Sequence, residues 1–440
     1  MEKQSIVEGR TFNDYISKQA TINIGTIGHV AHGKSTLVKA ITGLSTVKFK
    51  KEKEKNMTIK LGYANAKIYQ CENPFCQQRY SSRGSQAPDE FPCEICNQRQ
   101  EKSNQEIEDE VEEVTMMRLV RHISFVDTPG HEVLMSTMMN GVSVMDAAIL
   151  LIAANEPCPQ PQTVEHFQAI NQLNNVVVVQ NKVDLVSEER AIENHQAIKS
   201  FLKNGRTPII PISAQRQINI DCLLEHIVTR IPIPVRDLDS PARMTIVRSF
   251  DVNRPACKID DLKGGVAGGS LLRGTLKLND EIEIRPGIIY KDFTCQPIIT
   301  NVISLCSEEN DLSEAIPGGL IAVGTSMDPI LSKSDRLVGQ VLGLRGTLPV
   351  IYCELEICYL LHDGFKRIKK NERILINILS NSVETTVFAL KADLCKMRLS
   401  KPICCDLETR LSLSRKIAGK WRLIGHGLLL RGRQVTMQEA

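Results

Sequence analysis

No apolar run in this sequence of 440 residues approaches the roughly 20 residues that a membrane helix needs. The longest, at about 147–154 and 176–179, are strand-sized, so no membrane partner is expected. The first residues, M-E-K-Q-S, lack the charged-then-apolar pattern of a signal peptide. Net charge is scarce as well. Lysine and arginine number 54 against 51 aspartate and glutamate, a balance of +3. No overall field draws in a polyanion, and any nucleic-acid contact must come from local patches. Internal repeats and low-complexity tracts are missing too, which excludes solenoids and arrays. Fourteen cysteines in a chain expected to have no signal peptide point to thiols and metal rather than disulfides, and to the cytoplasm. The length allows roughly three domains with substantial cores.

What is present begins with G-H-V-A-H-G-K-S at 28–35, a fit to G-x-x-x-x-G-K-[ST]. A strand-like run precedes it and a helical pattern follows. Gly28 and Gly33 let backbone N–H groups turn toward oxyanions. Lys34 brings a point charge to the β and γ phosphates, and Ser35 offers a hydroxyl to Mg²⁺. Ala31, His32 and Thr36 complete the expected phosphate-binding set. Further apolar runs at 123–126, 147–153, 176–179 and 208–212 alternate with helical patterns. That alternation predicts an α/β domain with a mostly parallel sheet and helices on both faces.

Three more motifs end strands of that sheet. In D-T-P-G at 127–130, Asp127 can hold Mg²⁺ through a water and Gly130 can give its N–H to a γ-phosphate. In N-K-V-D at 181–184, the Asp184 carboxylate accepts two N–H donors from a guanine edge, a pair adenine does not supply. Asn181 can tie the base loop to the phosphate loop, with Lys182 beside it. Ser213, Ala214 and Gln215 form the last loop, where a backbone N–H can meet the guanine oxygen. Each short motif alone is also what a surface turn looks like. Four in this order, each at a strand's carboxyl end, suit a guanine nucleotide (GTP or GDP) at the sheet's carboxyl edge. Thr58, in K-N-M-T-I-K, is the candidate mobile Mg²⁺ ligand, against the alternative of a plain strand threonine. His131 directly follows D-T-P-G and is the candidate for orienting the attacking water. Cys71, Cys76, Cys93 and Cys96 form C-x₄-C…C-x₂-C, a candidate structural Zn²⁺ site at a hairpin tip, against four loose thiols in an insertion. The acidic run at 101–113 and the lysines at 48–55 read as exposed charge, and the other ten cysteines as buried small residues.

After a Pro-rich joint, I-P-I-P-V-R-D-L-D-S-P, short β-prone runs separated by Gly, Pro and Asp turns predict two successive β-barrels. The expected layout is a tail at 1–20, a GTP-binding domain at 21–235 with the zinc-knuckle insertion at 71–96, a first barrel at 241–347 and a second at 348–440.

With these motifs assembled, the sequence closely resembles the gamma-subunit family of eukaryotic and archaeal translation initiation factor two, within the elongation factor Tu-like GTPases. The telling segments are I-N-I-G-T-I-G-H-V-A-H-G-K-S-T, T-I-K-L-G-Y-A-N-A-K-I-Y, F-V-D-T-P-G-H-E, N-E-P-C-P-Q-P-Q-T, D-L-K-G-G-V-A-G-G-S, D-E-I-E-I-R-P-G and S-D-R-L-V-G-Q-V-L-G. Ala31 discriminates further, since the related elongation factors usually carry Asp there. The resemblance implies a heterotrimer with alpha and beta subunits, a GTPase that carries initiator methionyl-tRNA to the small ribosomal subunit, a GTPase-activating partner and an exchange factor. It implies that Val30 and Met57 form an apolar gate beside the attacking water, and that the four cysteines are the family's zinc knuckle. The departures are Thr128 for a common Cys, a shortened loop after Tyr359, and L-S-N-S-V where relatives have a Gly-containing turn. The rival readings are an elongator-type aminoacyl-tRNA carrier and a nucleotide-binding scaffold with incidental hydrolysis.

Overall fold

Five apolar runs become adjacent parallel strands. The computed structural model describes residues 5, 6, 10, 11, 13–46, 52, 58, 60–103, 114–131, 134–170, 173–202, 207–254, 258 and 261–438, and these fall into two units. The first unit holds a sheet of eight strands. In chain order these are β1 (Ile22–Gly28), β2 (Gly62–Cys71), β3 (Tyr80–Gly84), β4 (Glu90–Pro92), β5 (Met116–Asp127), β6 (Ala147–Ala153), β7 (Asn175–Asn181) and β8 (Ile209–Pro211). The order across the sheet is β8-β7-β6-β1-β5-β2-β3, with β4 also on β5. The first five of these strands are parallel. The pairings of β2 with β5 and with β3 are antiparallel. The sheet is therefore mixed, because the chain between β2 and β5 returns as a long hairpin instead of crossing over through a helix.

Every residue of β1 and β6 is buried, as expected for strands covered on both faces, which read as continuous apolar runs. Leu37, Val38 and Ile41 of helix α1 (Lys34–Thr42) and Leu223, Leu224 and Ile227 of a later helix (Ile220–Arg230) supply the covering side chains. Gly43 caps α1 in a left-handed conformation (φ 75°) and donates its N–H to the Lys39 carbonyl, the usual glycine stop. Part of the expected tail is ordered. A helical turn at Asn13–Ile16 presents the Ile16 carbonyl to Nδ1 of buried His122, 2.8 Å away, so the turn satisfies a polar ring that the sheet would otherwise strand.

The second unit comprises residues 129–144, 236–307 and 311–440. Six strands close one barrel: Arg243–Phe250, Val266–Arg273, Glu281–Ile289, Cys295–Ser307, Leu320–Thr325 and Val341–Leu344. Six more close another: Ile351–Leu361, Arg373–Ile378, Asn381–Lys391, Leu394–Cys404, Arg410–Ile417 and Lys420–Gln434. Alternation drives both. Residues 320–325 alternate half-buried and buried along their length, and the inward side chains (Met244, Ile246, Val323; Leu355, Ile376, Met397) fill the two cores. The L-S-N-S-V turn works without glycine. Leu379 takes the left-handed conformation itself (φ 50°). The buried Ser380 hydroxyl beside it donates to the Ile246 carbonyl at 2.7 Å and pairs with Thr245 Oγ1 at 2.9 Å. Residues 129–144, which lie inside the stretch expected for the nucleotide domain, group with this second unit. Their helix, α2 (Met135–Val142), is bonded through Asn140 Oδ1 to Asn377 Nδ2 and Ser382 Oγ, each 3.0 Å away.

Candidate nucleotide site

The phosphate loop leaves the carboxyl end of β1 and enters α1. Gly33 sits at φ 93°, and a Cβ there would lie 2.3 Å from Asn181 Nδ2. Only glycine admits both the turn and the neighbour. Ala31 is also left-handed (φ 65°), and Thr36 lies in the first turn of α1. Lys34 is buried, with its ammonium donating to the carbonyls of Gly28 and His29 at 2.9 and 2.8 Å. Burial pushes its pKa down to about 8, opposed by Asp127. An oxyanion beside it would favour the charged form again.

Next to it is a corner of hard oxygens. Ser35 Oγ donates to Asp127 Oδ2 at 2.7 Å and lies 3.1 Å from Thr58 Oγ1. The structure thus brings Ser35, Thr58 and Asp127 together, as Mg²⁺ chemistry requires of its ligands. Two threonines that sequence reasoning missed complete the arrangement. Thr26 Oγ1 donates to Asp127 Oδ1 at 3.0 Å, and Thr46 Oγ1 donates to Oδ2 at 2.6 Å. Thr46 fits because Gly62 faces it; a Cβ on Gly62 would come within 2.8 Å of Thr46 Cβ. Both threonines orient the carboxylate that would steer a metal-bound water. Thr46→Val keeps the shape and removes the donor, a bond worth roughly 1.5–3 kcal/mol to a charged group. The expected result is release of fluorescent GDP about tenfold faster at limiting Mg²⁺, with Thr46→Ser restoring the slow rate. An unchanged magnesium dependence would reduce Thr46 to a loop anchor.

At the far end of the sheet edge, Asn181 joins two loops. Its Nδ2 donates to the His32 carbonyl at 2.9 Å, and its Oδ1 accepts from the Ala214 N–H at 3.1 Å. Lys182 is left-handed (φ 64°) and leads into a short turn, Val183–Leu185, that carries Asp184. The Asp184 carboxylate is 4.0 Å from Arg216 Nε. Ser213 and Ala214 are buried while Gln215 is exposed, and Ser213 Oγ accepts from the Arg216 N–H at 3.2 Å. Val30 is half-buried. Met57 lies outside the described residues, as do most of the lysine-rich 48–55 and acidic 101–113 stretches. Gly130 is buried and His131 half-buried, and both belong to the second unit.

The four cysteines converge at the tip of the β2–β5 hairpin. Cys71 and Cys96 sulfurs are 3.8 Å apart, as are those of Cys76 and Cys93, and all four lie within 4.8 Å of one another. Tetrahedral zinc with bonds of about 2.3 Å separates its sulfurs by roughly 3.8 Å, so the cluster is compatible with structural zinc. Tyr69 and Met117 back it from the two strands. The other cysteines are not uniformly buried. Cys295, Cys395, Cys404 and Cys405 are, but Cys222 and Cys358 are exposed, because each occupies an outward position of an amphipathic element.

Comparison with known proteins assigns the chain. Residues 19–233 match the elongation factor Tu GTP binding domain, 264–343 match elongation factor Tu domain 2, and 360–429 match the family described as initiation factor eIF2 gamma, C terminal. The chain is 53% identical to eukaryotic translation initiation factor 2 subunit gamma of Schizosaccharomyces pombe, over 96% of each chain. It is 51% identical to eukaryotic translation initiation factor 2 subunit 3 of Drosophila melanogaster, over 96% of this chain and 91% of that one. The chain belongs to the translation initiation factor 2 gamma-subunit family. It is accordingly a GTP-binding, GTP-hydrolysing subunit of a multi-subunit initiation factor, and the family implies GTP or GDP with Mg²⁺. The fold is shared more widely. The elongation factor SelB of Methanococcus maripaludis in complex with a GTP analogue superposes with a TM-score of 0.67 at 19% identity, covering 96% of this chain and 82% of that one. A bacterial selenocysteine-specific elongation factor gives 0.67 at 19%, covering 94% and 59%. No helix among the described residues is long and apolar enough to cross a membrane.

Proposed function

We propose that this chain, with alpha and beta subunits, carries initiator methionyl-tRNA to the small ribosomal subunit in the cytoplasm while GTP is bound, and lets go after hydrolysis. The observation that supports this best is the C-terminal barrel. It matches the initiation-factor gamma family over residues 360–429, whereas residues 19–233 and 264–343 match elongation factor Tu domains. In this reading Asp184 holds the guanine edge, Asn181, Lys182, Ser213, Ala214 and Gln215 frame the base, and Gly28–Thr36 with Gly130 hold the phosphates. Ser35, Thr58 and Asp127 surround Mg²⁺, and Val30 with Met57 gate the water that His131 orients. A residue that only positions water needs an ordered transition state, so hydrolysis waits for a GTPase-activating partner, and an exchange factor reloads GTP. Filter binding of the GTP-loaded trimer to charged tRNAs tests the carrier role. Retention of the initiator species well above elongator species is expected; equal retention would overturn it. Single-turnover hydrolysis with ribosomal subunits and the activating partner tests the switch. Stimulation in the native chain and its loss in His131→Ala are expected. Stimulation in neither would leave GTP as a structural ligand.

A further inference from the structure

Two histidines of the phosphate loop are oriented in a way that guanine-nucleotide binding does not require. His32 is 1% exposed. Its Nδ1 lies 2.9 Å from the Leu151 carbonyl, and its Nε2 lies 3.1 Å from Glu156 Oε2. A carbonyl can only accept, so Nδ1 carries the proton and the neutral ring turns a lone pair from Nε2 toward a carboxylate. His29 repeats the pattern. Its Nδ1 is 2.9 Å from the Val30 carbonyl, and among the described residues Nε2 has no hydrogen bond. The two rings are 5.3 Å apart, and one ligand atom from each of His29, His32 and Glu156 lies within 4.8 Å of the others. Buried His166, 2% exposed, has an Nδ1 without a hydrogen-bond partner and is within electrostatic reach of both rings and of Lys34. The Lys34 ammonium is bonded to the Gly28 and His29 carbonyls.

Imidazoles that bind metal through Nε2 nearly always donate Nδ1–H to a carbonyl or carboxylate, which holds the ring and raises its basicity. Here two rings already do so, beside one carboxylate. The 3.1 Å between His32 Nε2 and Glu156 Oε2 is close to the roughly 3.3 Å separating two ligands of a tetrahedral ion with bonds near 2.0 Å. We propose that His29, His32 and Glu156 form a second metal site, distinct from the magnesium corner and the cysteine cluster, for a borderline divalent ion such as Zn²⁺, Ni²⁺ or Co²⁺. Two nitrogens and one carboxylate select that class over Mg²⁺. Gln160 Nε2 donates to Glu156 Oε2 at 2.6 Å and steadies the carboxylate as an outer partner. A bound ion staples the phosphate loop to the loop that follows β6.

The test is titration of the whole chain, its cysteine site first filled with zinc, with Co²⁺ followed by visible absorption. One further equivalent is expected, giving a ligand-field band without a thiolate-to-cobalt charge-transfer band. Glu156→Gln keeps size and shape and should weaken that equivalent at least tenfold, as should His29→Ala. Thermal unfolding and retained cysteine-bound zinc check that each variant is folded. If one variant fails to fold, the other decides. No ligand-field band in the native chain at tens of micromolar Co²⁺, or the same band in a folded variant, overturns the site.

Discussion

Asp184→Asn should lower affinity for GDP and GTP by about two to four orders of magnitude. The carboxylate in the proposed reading accepts two N–H bonds from guanine. Each bond to a charged acceptor is worth roughly 1.5–3 kcal/mol, and the amide turns one acceptor into a donor that faces another donor. The lost affinity should return with xanthosine triphosphate, whose ring presents an acceptor where guanine presents its amino group. The side chain is free of structural duty in the sheet. It stands on a short turn after β7, and its ion-pair partner is Arg216, 4.0 Å away, so the variant should fold. Equilibrium titration with fluorescent analogues of both nucleotides measures the switch. Unchanged GTP affinity would move the base away from Asp184.

Removing zinc should have the other large effect, and a local one. Among the described residues, the buried core of the hairpin tip at 71–96 is Tyr69, Met117 and the four cysteines, with Ala87, Phe91, Ile95 and Leu119 packed against it only partly buried. Packing of that size is small beside the conformational entropy lost on ordering the segment, and structural zinc contributes on the order of 10 kcal/mol. Cys93→Ser, or chelation, should therefore open 71–96 to protease at least tenfold faster while nucleotide affinity stays within about twofold. The reason is that the phosphate loop and Asp127 sit at the other end of β5 from the cysteines. Limited proteolysis beside a nucleotide titration reads both. Absence of zinc from freshly purified protein would remove the knuckle.

Much of the candidate site was legible in the sequence, and the reason differs by residue. Lys34, Ser35, Asp127, Asn181 and Asp184 sit in motifs where phosphate, magnesium and guanine chemistry demand one residue type at one spacing, so order along the chain suffices. The cysteine cluster was legible for the same reason, since tetrahedral sulfur needs two close pairs. The barrels followed from period-two alternation, although where each strand ends did not. Thr26 and Thr46 were not legible. Threonine is common in and beside strands, and nothing in T-I-N-I-G-T or T-G-L-S-T says that a hydroxyl will land on a carboxylate some 80 to 100 residues later. Glu156 and His166 were missed likewise.

By itself the sequence determined the ligand chemistry, the alternation of elements that builds a mostly parallel α/β sheet, and the family. Those depend on short-range patterns, where identity and spacing carry the physics. Tertiary structure alone decided that the sheet is mixed, that α2 is bonded to residues of the second barrel, that Asp127 is held by three hydroxyls, and that two loop histidines meet Glu156. Each of these is a contact between residues far apart in the chain, formed only when burial brings polar groups together and they must satisfy one another.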